Sequence, residues 1–416
     1  MSSAMSLRQR YQVTDTLYLW YLGRPARPML IGALHLVMSG RGVALRYAPD
    51  WLQRGFALSD DLPRFDIEHL PREKDAAAGA VDDARPDRWG ERVIRLLERP
   101  ARLSVLEMLY FAGDGRFGAL GVSTSAEVYA PVAASPLPQL ADVDAVHDLV
   151  RKVIAGEPIN QAHRRLIAPG ATMGGTGPKA LINMAGAEWV LKFAEEAYAS
   201  EPLIEHAAMT LAAKAGISTA QTRLVKLARG AAVAVKRFDR ANNKRLHALS
   251  ANVALKAAGA ELSYPALAQL LRRRGLADAD ANRKQMHELF RRLVFNILID
   301  NTDDHEKNHA LLVNDAQNLV LAPAFDVLPT GQALGYQSMG VGQDGASSKI
   351  DNALSMAPAY LLSRSQAVTQ ATRVVKAVNT WRVHFKKAGV DARAIESLAG
   401  QIDHPALLDQ RRALGK

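Results

Sequence analysis

The chain has no cysteine among its 416 residues, which removes thiolate catalysis, iron–sulfur ligation and cysteine-based zinc sites at once. Its folding therefore needs no oxidising compartment. Acidic residues are outnumbered: 42 Asp and Glu stand against 52 Lys and Arg, a formal charge of +10. That balance favours an anionic partner such as a nucleotide, a nucleic acid or an acidic protein. Long apolar runs are also missing. Stretches such as Pro28 to Met38 are far too short to span a bilayer, and no charged-then-apolar leader opens the chain. The expectation is a soluble, cytoplasmic protein with no membrane partner. With 48% hydrophobic and 23% charged residues, the composition supports two or three domains with real cores and excludes disorder, collagen and disulfide scaffolds.

Short β-like runs, Thr16 to Leu22 and Ile31 to Met38, precede an acidic loop at Asp60 and Asp61 and a helix over Glu91 to Leu97. The stretch Ala130 to Pro138 holds three prolines and reads as a linker at a domain boundary. Beyond it, Ala180 to Met184 and Trp189 to Phe193 flank the turn Ala185-Gly186 and predict a β-hairpin. A helix carrying Glu205 and Met209 ends at Gly216, and a second hairpin runs from Thr222 to Phe238 around Arg229-Gly230. After Asp239 the pattern turns helical. Met286, Leu289, Phe290, Leu293, Val294 and Ile297 recur at helical spacing, and that helix ends before Asn301. A short hairpin, Ala310 to Val313 and Leu319 to Leu321, leads into Pro323-Ala324-Phe325-Asp326, and helices fill the chain from about Leu354. There is no internal repeat and no coiled-coil heptad.

The densest polar cluster is Asn301-Thr302-Asp303-Asp304-His305-Glu306-Lys307-Asn308. As a loop it could be a solvated turn. Asp303 and Asn308 nevertheless have the spacing by which a kinase catalytic loop presents an acceptor-orienting Asp and a magnesium-binding Asn, and Asp326 can add a hard oxygen from the following strand. The same residues contain His305-Glu306-Lys307-Asn308-His309, an H-E-x-x-H match that would hold zinc if it lay on a helix. The flanking residues break a helix there, and no third ligand is evident. A second cluster, Thr172-Met173-Gly174-Gly175-Thr176-Gly177-Pro178-Lys179, offers loop amides and a cation to phosphate oxygens. It lacks the Gly-Lys-Ser/Thr of a P-loop and opens a hairpin rather than a helix, which suits a kinase better than a dinucleotide fold. An ordinary flexible loop is the alternative. Strand alternation puts Lys192 on one face with Val190 and Ala194. It is either a solvated edge lysine or a phosphate-neutralising one held by Glu205. Basic groups at Arg272 to Arg274, Arg291-Arg292, Lys386-Lys387 and Arg411-Arg412 read as solvated helix faces, without a zinc finger, a stacking motif or a helix-turn-helix.

Several motifs in order, namely Arg85-Pro86-Asp87-Arg88-Trp89-Gly90, Gly113 to Leu120, Gly174-Gly175 through Pro178-Lys179, Val235 to Arg240, Asn301 to Asn308 and Ala322 to Asp326, resemble the HipA-like serine/threonine kinases. These are toxins of bacterial toxin–antitoxin pairs. The resemblance covers most of the chain from about residue 80 and only loosely the first eighty residues. It implies an α+β, protein-kinase-like two-lobed fold with an N-terminal β-rich subdomain over 1–127, an N-lobe over 139–240 and a mainly helical C-lobe over 241–416. It implies ATP and Mg²⁺ as cofactors, Asp303 as the catalytic aspartate, and Asn308 and Asp326 as metal ligands. Gly174, Gly175, Thr176, Gly177, Lys179, Lys192, Glu205 and His305 would serve the nucleotide, while Lys236 and Phe238 lie where the backbone meets adenine. Thr172 stands at the autophosphorylated serine position of the Gly-rich loop. Partners implied are a protein substrate such as an aminoacyl-tRNA synthetase and a small HipB-like DNA-binding antitoxin, through which any DNA contact would run. The rival readings are a kinase-shaped binding module or co-repressor and, more remotely, a zinc hydrolase using His305 and His309.

Overall fold

Alternating apolar residues build the first sheet, in which Leu17, Leu19, Leu34, Val43 and Leu45 are wholly buried. Strands β1 (Thr16–Tyr21), β2 (Met29–Val37) and β3 (Gly42–Tyr47) form an antiparallel meander. β4 (Glu68–His69) extends it beyond β3, β5 (Ala76–Ala77) pairs parallel with β3, and β6 (Leu120–Ser123) adds to β1. Trp51 of α1 (Pro49–Arg54) joins the core of this sheet. Helix α2 (Arg88–Leu97) turns elsewhere: its Trp89, Val93 and Leu97 sit in the core of the second sheet. α3 (Val105–Phe111) returns to the first sheet behind a Ser104–Glu107 capping box. The structure, a computed structural model, describes residues 11–132, 136–160, 166–170, 177–195, 199–330 and 334–414.

The second sheet has the order β7-β8-β10-β9, built from β7 (Lys179–Met184), β8 (Ala187–Phe193), β9 (Thr222–Lys226) and β10 (Ala231–Lys236). Ala185 and Gly186, with φ of +50° and +75°, make the tight turn expected between β7 and β8. One face, with Ala180, Ile182, Trp189 and Leu191, packs on α4 (Val143–Ala155) and α2. The other presents Leu181 and Val190 to Phe117 and Phe238. Helix α5 (Glu201–Lys214) crosses beside β9 and β10.

Below lies the helical lobe. A two-stranded ribbon, β11 (Arg240–Ala241) and β12 (Lys244–Arg245), leads to a small sheet of β13 (Ala248–Ser250), β14 (Ala310–Val313) and β15 (Leu319–Leu321). Helices α6 (Ala251–Ala257), α7 (Tyr264–Arg274) and α8 (Ala279–Leu298) precede β14. α9 (Ile350–Ser355), α10 (Arg364–Val378), α11 (Trp381–Lys387), α12 (Ala392–Ile402) and α13 (Pro405–Leu414) follow β15. The apolar stripe foreseen on α8 is entirely buried, against α7 and α10 among others. One hydrophobic core runs from the first sheet through to these helices, so residues 11–127 share packing with both lobes. No helix among the described residues is long and apolar enough to cross a membrane.

Candidate active site

The β7–β8 register pairs Lys179 with Lys192 and Leu181 with Val190. Because side chains alternate, these four share one face, with two cations toward one end and two apolar groups beside them. Lys192 Nζ donates to Glu205 Oε1 of α5 at 2.7 Å and to Asp326 Oδ1 at 2.5 Å. All three groups are buried or nearly so. Burial alone would discharge the ammonium, but the two carboxylates hold the Lys192 pKa above its ordinary value. Burial likewise opposes ionisation of Asp326, yet Lys192 and, more weakly, Lys179 and His305 keep its pKa below the usual range. Burial pushes Glu205 the other way, upward, with Lys192 only partly offsetting it. Asp326 carries the site's conformational oddity: its φ is +57°, in the left-handed region a non-glycine residue enters at a cost.

Lys179 is 1% exposed and forms an ion pair with Asp87. Burial lowers its pKa, and Asp87 opposes that. The motif Arg85 to Gly90 therefore has a task. Asp87 caps α2 by accepting from the Gly90 amide at 2.9 Å while gripping the Lys179 ammonium, and Trp89 Nε1 donates to the Lys179 carbonyl at 2.7 Å. Gly90 is required by close approach, since a Cβ there would lie 2.2 Å from the Pro169 carbonyl oxygen.

The motifs Gly113 to Leu120 and Val235 to Arg240 also interlock. Arg237 forms a buried pair with Asp239 and donates to the carbonyls of Gly115 and Arg116, while Asp239 accepts from the Gly118 amide at 2.8 Å and from Arg240. This ties the N-terminal region to the segment between the lobes. Lys236 pairs with Trp189, on the face opposite Lys192; its side chain is exposed and its amide donates to the Gln221 carbonyl. Phe238 lies between Phe117 at 5.9 Å and Phe325 at 5.4 Å, ring centroid to centroid.

After α8 the chain turns at Asp300, with φ of +57°, into the polar loop. Asp303 is exposed. Its carbonyl accepts from the His305 amide at 2.8 Å and from Asn308 Nδ2 at 3.3 Å, which turns Asn308 Oδ1 the other way. Asn308 lines a small pocket together with Phe325 and Val327, the two neighbours of Asp326. Asp326 lies in a bend beyond β15 rather than on the strand expected there, and the polar loop lies beside that bend. The free oxygens of Asn308 and Asp326 are of the hard type that suits a divalent cation such as magnesium, and these are the residues that could hold one. His305 is half-buried and its Nδ1 accepts from the Lys307 amide at 3.2 Å, opening a single 3₁₀ turn over Glu306–Asn308. His309 instead faces inward to Asp304. The helix that the zinc reading requires is absent, and the described residues hold no group of three His, Asp or Glu side chains placed for a metal.

Gly177 is described and has open space where a Cβ would point, whereas Thr172, Gly174, Gly175 and Thr176 lie outside the described residues. Sequence reading placed Val190 on the Lys192 face but missed Asp87 as the partner of Lys179, and Leu181 and Phe117 as the rest of the apolar wall. Nothing local announces Asp87, which lies 92 positions from Lys179. A cleft of about 590 Å³ opens alongside, lined by Asp83, Asp87, Phe117, Ser250, Lys307 and Phe325 among others.

Residues 171–383 match the family model of the HipA-like C-terminal domain. A curated protein of Sinorhizobium fredii named "Putative kinase Y4dM" is 31% identical over 161 residues, covering 35% of this chain and only 38% of that protein's length. Among solved structures, HipA of Shewanella oneidensis MR-1, determined with HipB and its operator DNA, superposes with a TM-score of 0.65 at 16% identity, covering 95% of this chain and 97% of that one. CtkA, a proinflammatory kinase of Helicobacter pylori, gives 0.43 at 12% identity over 58% of this chain and 92% of its own. The fold is therefore the two-lobed α+β kinase-like one.

Proposed function

Because this chain belongs to the HipA-like C-terminal domain family, we propose that it is an ATP- and magnesium-dependent protein serine/threonine kinase, the toxin of a toxin–antitoxin pair acting in the cytoplasm. The observation that carries the reading is the Lys192 ammonium shared between Glu205 and Asp326. A lysine so held stays charged in a desolvated cleft and can serve phosphate oxygens. The units 1–127, 139–240 and 241–416 are retained as functional divisions.

Asn308 Oδ1 and the free oxygen of Asp326 would hold magnesium, whose charge offsets that of the transferring phosphoryl group when bound. Lys192, with Glu205 behind it, holds the α- and β-phosphates, and the amides of Gly174 to Gly177 cover them, with Lys179 adding charge once it leaves Asp87. Leu181, Val190 and Phe238 provide the apolar surface for the base, with Lys236 in the adjoining main chain and His305 beside Asp326. Asp303, exposed at the tip of its loop, orients an acceptor hydroxyl and takes its proton at the carboxylate late in transfer. The chain's own contribution is positioning and charge placement. Thr172 is the candidate autophosphorylation residue. The partner proposed is a small DNA-binding antitoxin like the HipB in the Shewanella complex, and the acceptor a translation protein such as an aminoacyl-tRNA synthetase.

The test is phosphate transfer from γ-labelled ATP to the protein itself or to lysate proteins. Asp303→Asn should cut transfer by about a thousandfold or more while nucleotide binding persists. Full transfer by that variant would refute the assignment of Asp303. No transfer by the wild type would favour a binding module instead. Comparing phosphoproteomes of cells expressing the two forms then identifies the acceptor.

A further inference from the structure

Asp304 and His309 each sit one residue beyond a residue used in the mechanism, and neither has a place in it. Asp303 is exposed, whereas Asp304 is 2% and His309 3% exposed. Asp304 Oδ2 accepts from the hydroxyl of Tyr264 on α7 and lies 3.0 Å from His309 Nε2. The wholly buried Tyr264 hydroxyl also accepts from Asn296 Nδ2 of α8 at 3.0 Å, and Asn296 Oδ1 accepts from Asn301 Nδ2 at 3.2 Å. The His309 and Tyr264 rings meet edge to face, 5.0 Å apart at 74°. A continuous polar chain thus runs Asn301–Asn296–Tyr264–Asp304–His309, fastening both ends of the loop to two helices.

We propose that Tyr264, Asp304 and His309 form a clamp across the base of this loop and act as positioning residues that set the separation of Asp303 and Asn308. The proposal rests on the kinase reading above. Main-chain bonds inside the loop, from His305 to Asp303 and from Asn308 to His305, shape the turn but do not seat it on the protein. Packing contributes as well, since the 3₁₀ turn lies against α6 and β13, and Asn252 Nδ2 donates to Glu306 Oε1 at 2.6 Å. Among the hydrogen bonds that also hold the loop, those of this trio are buried, and in a buried network each one lost leaves a polar group unpaired. Apolar residues of similar volume would serve stability as well as a buried polar trio does. Geometry next to a metal-binding amide is what such a trio adds, as groups behind metal ligands do elsewhere.

The decisive measurement is the Mg²⁺ dependence of binding a fluorescent, non-hydrolysable ATP analogue to the full chain, read together with Tm and with the kcat against KM split. Tyr264→Phe, which removes one hydroxyl and no volume, should raise the Mg²⁺ concentration for half-maximal binding about tenfold and lower kcat, with metal-free analogue binding unchanged. His309→Ala should do the same, and His309→Gln, whose amide nitrogen can still donate to Asp304, should recover most of the shift. Variants that lose Tm while keeping the wild-type Mg²⁺ midpoint would reduce the clamp to a structural contact and overturn the proposal. If His309→Ala fails to fold, Tyr264→Phe alone decides. A wild type with no Mg²⁺-dependent nucleotide binding would overturn the kinase reading and the clamp with it.

Discussion

Lys192 and Lys179 are cross-strand partners on one face of one hairpin, yet the protein treats their charges differently. Lys192 is enclosed by groups belonging to the two lobes, Glu205 of α5 and Asp326 beyond β15, and its pKa is held up. Lys179 is reached from outside the lobes, by Asp87 at the head of α2, and burial brings its pKa down. The segment from Asp82 to Asp87 also touches the other lobe, where Asp83 accepts from the amide and hydroxyl of Ser250, both at 2.6 Å. One region is thus a three-group cluster within the lobes, and the other a series of contacts by which an N-terminal segment spans them. A cluster can lose no member without stranding charge, while contacts made by a segment from outside the lobes can be opened and remade.

The largest effect should therefore come from Lys192→Met. It leaves Glu205 and Asp326 buried without their cation, at about 3–5 kcal/mol, and on the kinase reading it lowers phosphate transfer at least a hundredfold. Urea unfolding and labelled-ATP transfer check the two halves separately. A variant as stable as the wild type would mean that the two carboxylates do not need the Lys192 ammonium beside them. Next comes Asp87→Asn. Asparagine caps a helix as well as aspartate does, so α2 keeps its start and only the charge opposite Lys179 is lost. The expected cost is about 1.5–3 kcal/mol, most of it recovered in the double variant with Lys179→Met. Purely additive losses in that cycle would show the pair to be uncoupled.

Much of this architecture was legible because it is local. Residues spaced two apart marked β7 and β8, and the stripe from Met286 to Ile297 marked α8, since periodicity is written into the chain itself. The polar loop at 301–308 stood out for the same reason: its residues are contiguous, and the structure places Asp303 and Asn308 within one turn. Contacts that span the chain were not legible. Asp87 and Lys179 are 92 positions apart, and Tyr264 and Asp304 are 40 apart. No spacing rule connects such residues, because the fold alone decides which surfaces meet. The motif Arg85 to Gly90 could be seen without its purpose, which depends on Pro169 and Lys179 arriving beside it.

The gentlest test separates the regions by pH. Burial pushes the Asp83 carboxyl up to about 6, with Asp82 adding to the rise and the Ser250 hydrogen bonds and Lys307 opposing it. Well below its ordinary pKa near 4, folded and unfolded chains both carry the proton and the shift contributes nothing to pH dependence. As pH rises toward 6 the unfolded chain ionises first, so stability falls across that interval and levels off above it. Asp83 is half-buried on the cleft wall, so solvent screening brings the effect to about 1 kcal/mol. Asp83→Asn keeps an acceptor for the Ser250 amide and removes the titration. Comparing urea midpoints at pH 4.5 and pH 7.5, the wild type should lose more stability than the variant over that span, every other group titrating alike in both. Parallel profiles would show that the N-terminal segment meets the helical lobe through an ordinary surface carboxylate, and the contrast with the Lys192 cluster would then rest on Asp87 alone.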